Sequence, residues 1–213
     1  MKDYSDLCKI SQITNNIYLS GIFPLDNDYK MIKKLDIKYI LACVDRNYIS
    51  EIHDKIMIDN PDITILYLPY SDDILQNLWK KNKNNISIIK YTESMEDFNN
   101  LSEQLKVYYN KPMIEIGYHF VNIAVTLNKN ILVHCMAGIS RSVSLISYFL
   151  MKKNNLSFKN AFKTIQNKRK IANPNDSFKL QLYYYQKKRD QFSELDGNYI
   201  IKYIVSNNKV YKL

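Results

Sequence analysis

Residues 131–151 read ILVHCMAGISRSVSLISYFLM. The apolar run Ile131, Leu132 and Val133 is short enough for a buried strand. HCMAGISRS at 134–142 holds the small residues of a tight loop, and the apolar-rich stretch after it predicts a helix over about 142–153. A strand that feeds a loop and then a helix aims the loop's backbone N–H groups, with the positive end of the helix dipole, at one spot. The loop Cys135, Met136, Ala137, Gly138, Ile139, Ser140, Arg141 is therefore expected to form an anion cradle. Gly138 permits the turning such a nest requires, because no side chain blocks positive φ or crowds a ligand.

Within a cradle of this kind a thiol ionises more easily, and the thiolate is the nucleophilic form. Cys135 is the expected nucleophile. Arg141, six residues later, carries a planar fork that can bind two phosphate oxygens at once and follow them as the phosphoryl group flattens. Phosphoryl transfer needs mainly positioning and charge stabilisation around three equatorial oxygens. Amides and one guanidinium supply both, so the expectation is a site with no metal and no cofactor. A lone cysteine would read as an inert strand-end thiol. The spacing Cys-x5-Arg-Ser between a strand and a helix argues against that.

Outward from this stretch, strands are predicted at 17–19, 38–44 and 63–69, with helices at 28–35 and 48–56 between them, an alternation that indicates an α/β fold. Ile116, Phe120, Ile123, Ala124 and Leu127 fall at helical spacing within 113–127, just ahead of the strand at 131–134. Further helices are predicted at 157–169 and 176–190, separated by the breaker Asn173-Pro174-Asn175. The tail, 199–205 and 209–213 about Ser206-Asn207-Asn208, reads as a hairpin.

A chain of 213 residues, 46% hydrophobic, is expected to form one domain with a real core. No apolar run is long enough for a membrane span, and MKDYSDLCKI at 1–10 carries charge where a signal peptide needs an apolar centre. The net charge of +9 invites nucleic acid as a partner. Lysines scattered along the chain, instead of forming a stripe, favour a solvated basic surface that would still attract phosphorylated substrates. Cys8, Cys43 and Cys135 are odd in number and widely separated, which argues for a reducing, cytoplasmic setting over a disulfide framework. His53, His119 and His134 lack metal-ligand spacing, and Cys43, within an apolar run, reads as a small buried hydrophobe.

The stretch His134-Cys135-x5-Arg141-Ser142 resembles the signature of the cysteine-dependent phosphatases, specifically the compact dual-specificity protein phosphatases. The likeness extends to 13–21, to 63–73 and to Asn173-Pro174-Asn175 with Phe178, Gln181 and Leu182, and covers about 10–190. It implies a protein-tyrosine-phosphatase-like fold, a central mixed sheet flanked by helices. It implies hydrolysis of phosphotyrosine and phosphoserine/phosphothreonine in phosphoproteins, through a cysteinyl-phosphate on Cys135. Ser142 matches the hydroxyl that helps the cysteine leave, and His134 and Asn175 match positions that brace the loop. Apolar Met136 and Ile139 argue against a lipid phosphatase. An RNA 5′-triphosphatase and a phosphoprotein-binding pseudophosphatase compete with the protein phosphatase reading. Homo-oligomerisation is left open.

An alkoxide or phenoxide leaves poorly unless protonated, so the mechanism wants a carboxylic acid facing the loop. Asp72, after the predicted strand 63–69, falls at the family's matching position. The stretch 74–111 is longer than the family usually has there, which keeps Asp73, Glu96 and Asp97 open as the acid. Met95, Phe98, Leu101, Leu105 and Tyr108 give 93–109 a helical pattern. Residues 191–213 extend beyond the resemblance.

Overall fold

The computed structural model describes residues 4–81, 87–90 and 111–207. Its strands are β1 (Ser11–Gln12), β2 (Ile17–Ser20), β3 (Ile37–Ala42), β4 (Thr64–Tyr67), β5 (Ser87–Lys90) and β6 (Asn130–His134). The helices are α1 (Phe23–Asp28), α2 (Met31–Lys34), α3 (Ser50–Asp59), α4 (Met113–Thr126), α5 (Arg141–Lys153), α6 (Phe158–Lys168), α7 (Asp176–Lys188) and α8 (Glu194–Asn207). The strands form one mixed sheet in the order β1-β2-β6-β3-β4-β5. β6 runs parallel to β2 and β3, and β3 to β4, while β1 and β5 close the edges antiparallel.

β6 is covered on both faces, which explains its unbroken Ile-Leu-Val run. Ile131, Leu132 and Val133 are each fully buried, worth roughly 1.5–3 kcal/mol apiece. Side chains alternate between the two cores. Ile131, Val133 and Cys135 face the layer that includes α4, α5, α6 and α7, whereas Leu132 joins the core beneath α1, α2 and α3. The same alternation sends His134 toward α3. Because β6 lies between two parallel neighbours, its carboxyl end opens at the point of the sheet where α/β folds place ligands.

Three parts of the chain depart from, or fall outside, the sequence expectations. In place of one helix over 28–35 there are two short ones, α1 and α2. Pro24 sits in the first turn of α1, where its fixed φ suits a helix start, and Asp36 at φ 48° follows the second. The expected C-terminal hairpin is instead helix through 207. Ser193 and Asp196 explain its start: Asp196 Oδ2 accepts from Ser193 N at 2.9 Å and Ser193 Oγ at 2.8 Å, the carboxylate reaching back as in the acidic half of a capping box. Ile200 and Ile204, four apart, then enter the main core. Within 74–111, Trp79 is 2% exposed and packs on Tyr148, Tyr185 and Phe192, and β5 pairs with β4. The helix expected at 93–109, with Glu96 and Asp97, lies outside the described residues. No helix among the described residues is long and apolar enough to cross a membrane.

Candidate active site

The loop from Cys135 to Arg141 is shaped by what holds its carbonyls. Met136 O accepts from Ile22 N at 2.9 Å, Ile139 O from Asn173 N at 2.8 Å and Ser140 O from Ser144 N at 2.8 Å. Ala137 O and Gly138 O accept from the Arg169 guanidinium at 3.1 and 2.7 Å. In a trans peptide, C=O and the next N–H point in opposite directions. Drawing these carbonyls onto the surrounding scaffold therefore turns the following N–H groups toward the concave side, an anion nest. Gly138 N donates to Cys135 Sγ at 3.2 Å. Gly138 has φ +66°, and a Cβ there would lie 2.4 Å from Ser20 C, so conformation and space both demand glycine.

Cys135 is 1% exposed, and its Sγ lies 3.3 Å from Ser142 Oγ. Ser142 lies inside the first turn of α5, so its hydroxyl faces the sulfur and does not cap the helix. Arg141, the first residue of α5, donates from Nη1 to Tyr70 O at 3.3 Å, while its buried Nε makes no hydrogen bond and lies 3.6 Å from Asp72 Oδ2.

Asp72 is at the site. Its Oδ1 accepts from Ser140 Oγ at 2.6 Å and from Asn175 Nδ2 at 3.2 Å. Asn175 caps α7 through Oδ1, which accepts from Phe178 N, and its own N–H donates to Ser140 Oγ. Asp72, Ser140 and Asn175 thus tie three segments together beside Arg141. Asp73 is turned away, accepting from Leu75 N at 2.7 Å within its own turn. Among the described residues no cluster of three or more His, Cys, Asp or Glu side chains is placed to hold a metal.

His134 is fully buried and paired with His53, Nε2 to Nε2 at 3.0 Å. Burial pulls His134 down to about 4, Arg141 adding to the effect and the Cys135 carbonyl opposing it. Burial, then His134 and Arg46, holds His53 well below the ordinary imidazole range. Unfolded, both rings take up protons below pH about 6.5, whereas the folded state keeps them neutral down to lower pH. These groups therefore withdraw stability as pH falls from about 6.5 toward 4 and leave it unchanged above that window. The melting midpoint by circular dichroism should fall across that range, and should fall less in His53→Gln, which lacks one of the rings.

Sequence reasoning missed Arg169, Gly21 and the partnership of His53. Arg169 is fully buried and also donates to Asp6 O at 2.7 Å, Lys9 O at 3.1 Å and Ser11 Oγ at 3.3 Å, binding the N-terminal segment to the loop. Between Lys168 and Lys170 nothing distinguishes it in the sequence. Gly21 lies against the loop, where a Cβ would come 2.7 Å from Ala137 C.

A model of the dual specificity phosphatase catalytic domain matches residues 23–188. Protein R622 of Acanthamoeba polyphaga mimivirus, named as a candidate tyrosine-protein phosphatase, is 60% identical over 92% of this chain and 93% of its own length. Dual specificity protein phosphatase 1B of Arabidopsis thaliana is 27% identical over 65% of this chain and 75% of its own. The crystal structure of DUSP15 superposes with a TM-score of 0.56 at 18% identity, covering 95% of this chain and 98% of that one, a likeness of fold. With the catalytic-domain match spanning most of the sequence and R622 aligned along nearly all of it, this chain belongs to the dual specificity phosphatase family.

Proposed function

We propose that this protein is a metal-independent phosphatase of phosphoproteins, acting on phosphotyrosine and on phosphoserine/phosphothreonine through a cysteinyl-phosphate on Cys135. The observation that carries the reading is the loop itself: its carbonyls are bound outward, the Gly138 N–H donates to the Cys135 sulfur, and Arg141 follows at the start of α5. The substrate phosphate lies in the nest with Arg141 bridging two of its oxygens. The Cys135 thiolate attacks phosphorus, the P–O bond to the substrate breaks, and the leaving oxygen takes a proton from the Asp72 carboxyl. Water then gives a proton to Asp72 and attacks phosphorus, the S–P bond breaks, and the thiolate departs with a hydrogen bond from Ser142. Phosphate drawn to Arg141 competes with its contact to Asp72, which frees the carboxyl for the leaving group.

Asp72 is the preferred acid because it, and not Asp73, meets Ser140, Asn175 and Arg141. Asp72→Asn should slow hydrolysis of phosphotyrosine by roughly 10²-fold while slowing an aryl phosphate with a good leaving group much less. Equal rates on both substrates would remove Asp72 from the role.

Intact Cys135, Arg141 and Ser142 favour turnover over mere capture of phosphoproteins. A free thiol nucleophile suits a reducing, cytoplasmic setting; all three cysteines are free. Residues beyond 190 belong to the same unit in this reading, since Phe192, Ile200 and Ile204 enter the main core.

A further inference from the structure

On the α3 side of β6, a chain of buried hydrogen bonds leads away from the proposed nucleophile. His134 Nδ1 lies 3.4 Å from Cys135 O, His134 Nε2 lies 3.0 Å from His53 Nε2, and His53 Nδ1 lies 2.7 Å from the Tyr67 hydroxyl. Both imidazoles are fully buried, and on its far side Tyr67 meets the Arg46 guanidinium. Since both rings are held neutral, each carries one N–H.

The chain has only one consistent polarity. A carbonyl can only accept, so His134 must carry its proton on Nδ1, which makes its Nε2 an acceptor. His53 must then donate from Nε2, and its Nδ1 accepts from the Tyr67 O–H. That hydroxyl oxygen, in turn, can accept from Arg46. Each link fixes the next, as hydrogen-bond partners fix imidazole tautomers elsewhere.

We infer that His53 is a positioning residue for the phosphatase reaction: by donating to His134 Nε2 it holds His134 in the Nδ1–H tautomer, which binds the Cys135 carbonyl at the base of the loop. This rests on the loop being the phosphate cradle of the proposed function. The Cys135 carbonyl is the first in the series whose outward binding turns the amides inward, and here the tether is an imidazole N–H. Its following amide, Met136 N–H, points the opposite way. Without a donor on His53, the buried Nε2 of His134 is left unpaired in either tautomer, so nothing selects the Nδ1–H form and the bond to Cys135 O is no longer fixed.

The direct test is the tautomeric state in the whole wild-type protein at pH 7, read by two-bond proton–nitrogen correlation after ¹⁵N-histidine labelling. The expected result is His134 protonated on Nδ1 alone and His53 on Nε2 alone; the reverse assignment for either ring overturns the proposal. In kinetics, His53→Leu should lower kcat on the order of tenfold with little change in KM. His53→Gln, whose amide can donate to His134 and whose carbonyl can accept from Tyr67, should recover turnover to within about threefold. Folded His53→Leu with wild-type kcat, or equal losses in both variants, would overturn the inference. Should the leucine variant not fold, the wild-type tautomers and the glutamine variant still decide. Failure of the wild-type protein to hydrolyse any phosphomonoester would instead sink the proposed function, with the tautomers unaffected.

Discussion

Cys135→Ser is expected to abolish hydrolysis of p-nitrophenyl phosphate in the presence of EDTA, with turnover falling by at least about 10³-fold. The exchange changes little in shape. What it changes is ionisation. The neighbours of Sγ are Gly138 N–H and the Ser142 hydroxyl, neither of which is a base able to take a proton from an alcohol. A thiol is acidic enough to serve as a nucleophile without a general base, whereas a serine hydroxyl needs one. Because the nest is built from backbone, the variant should still bind inorganic phosphate or vanadate, which isothermal titration would detect. Wild-type turnover by Cys135→Ser would place the nucleophile elsewhere. Loss of both turnover and anion binding would mean that the loop had collapsed.

Arg141→Lys should lower kcat by about 10²-fold or more while the fold survives. Lysine keeps the charge, so simple attraction of phosphate persists. It loses the planar pair of donors that spans two equatorial oxygens and stays aligned as the phosphoryl group flattens in the transition state. Arginine does a second thing here: Nη1 holds Tyr70 O, and Nε lies beside Asp72, so the guanidinium also keeps the acid-bearing segment against the loop. A single ammonium cannot serve both partners at once. Steady-state kinetics on a phosphotyrosine peptide, with circular dichroism as a fold control, reads the effect. A loss confined to KM would mean that Arg141 binds ground state and transition state equally, contrary to the assigned role.

Much of the site was legible because its chemistry is local. Cys135, Arg141 and Ser142 lie within one loop and one helical turn, so spacing alone places them around a common point. Asp72 was proposed from its match to the family's acid-bearing segment, and it lies beside Arg141 and Ser140 because β4 runs parallel to β3, which runs parallel to β6. Arg169 was not legible. Its partners, Asp6 O and Gly138 O, are far away along the chain, and no local pattern shows that one basic residue among three is buried. The C-terminal helix was misread for a different reason: the period of 199–205, Tyr-Ile-Ile-Lys-Tyr-Ile-Val, does not separate strand from helix, but Asp196 binds Ser193 at the start of a helix whose Ile200 and Ile204 find a core to enter. Tertiary burial decided what local period did not.

By itself the sequence determined the α/β class, the strand-loop-helix of the proposed cradle, and the candidates for nucleophile and phosphate-binding arginine, because periodicity and loop spacing act over a few residues. Only the tertiary structure showed that Asp72 meets Ser140, Asn175 and Arg141, that Arg169 and Asn173 hold the loop's carbonyls outward, and that His53 lies against His134. Those choices depend on strand order and on which side chains are denied water. Both arise from contacts between residues distant in the chain, and no local spacing encodes them.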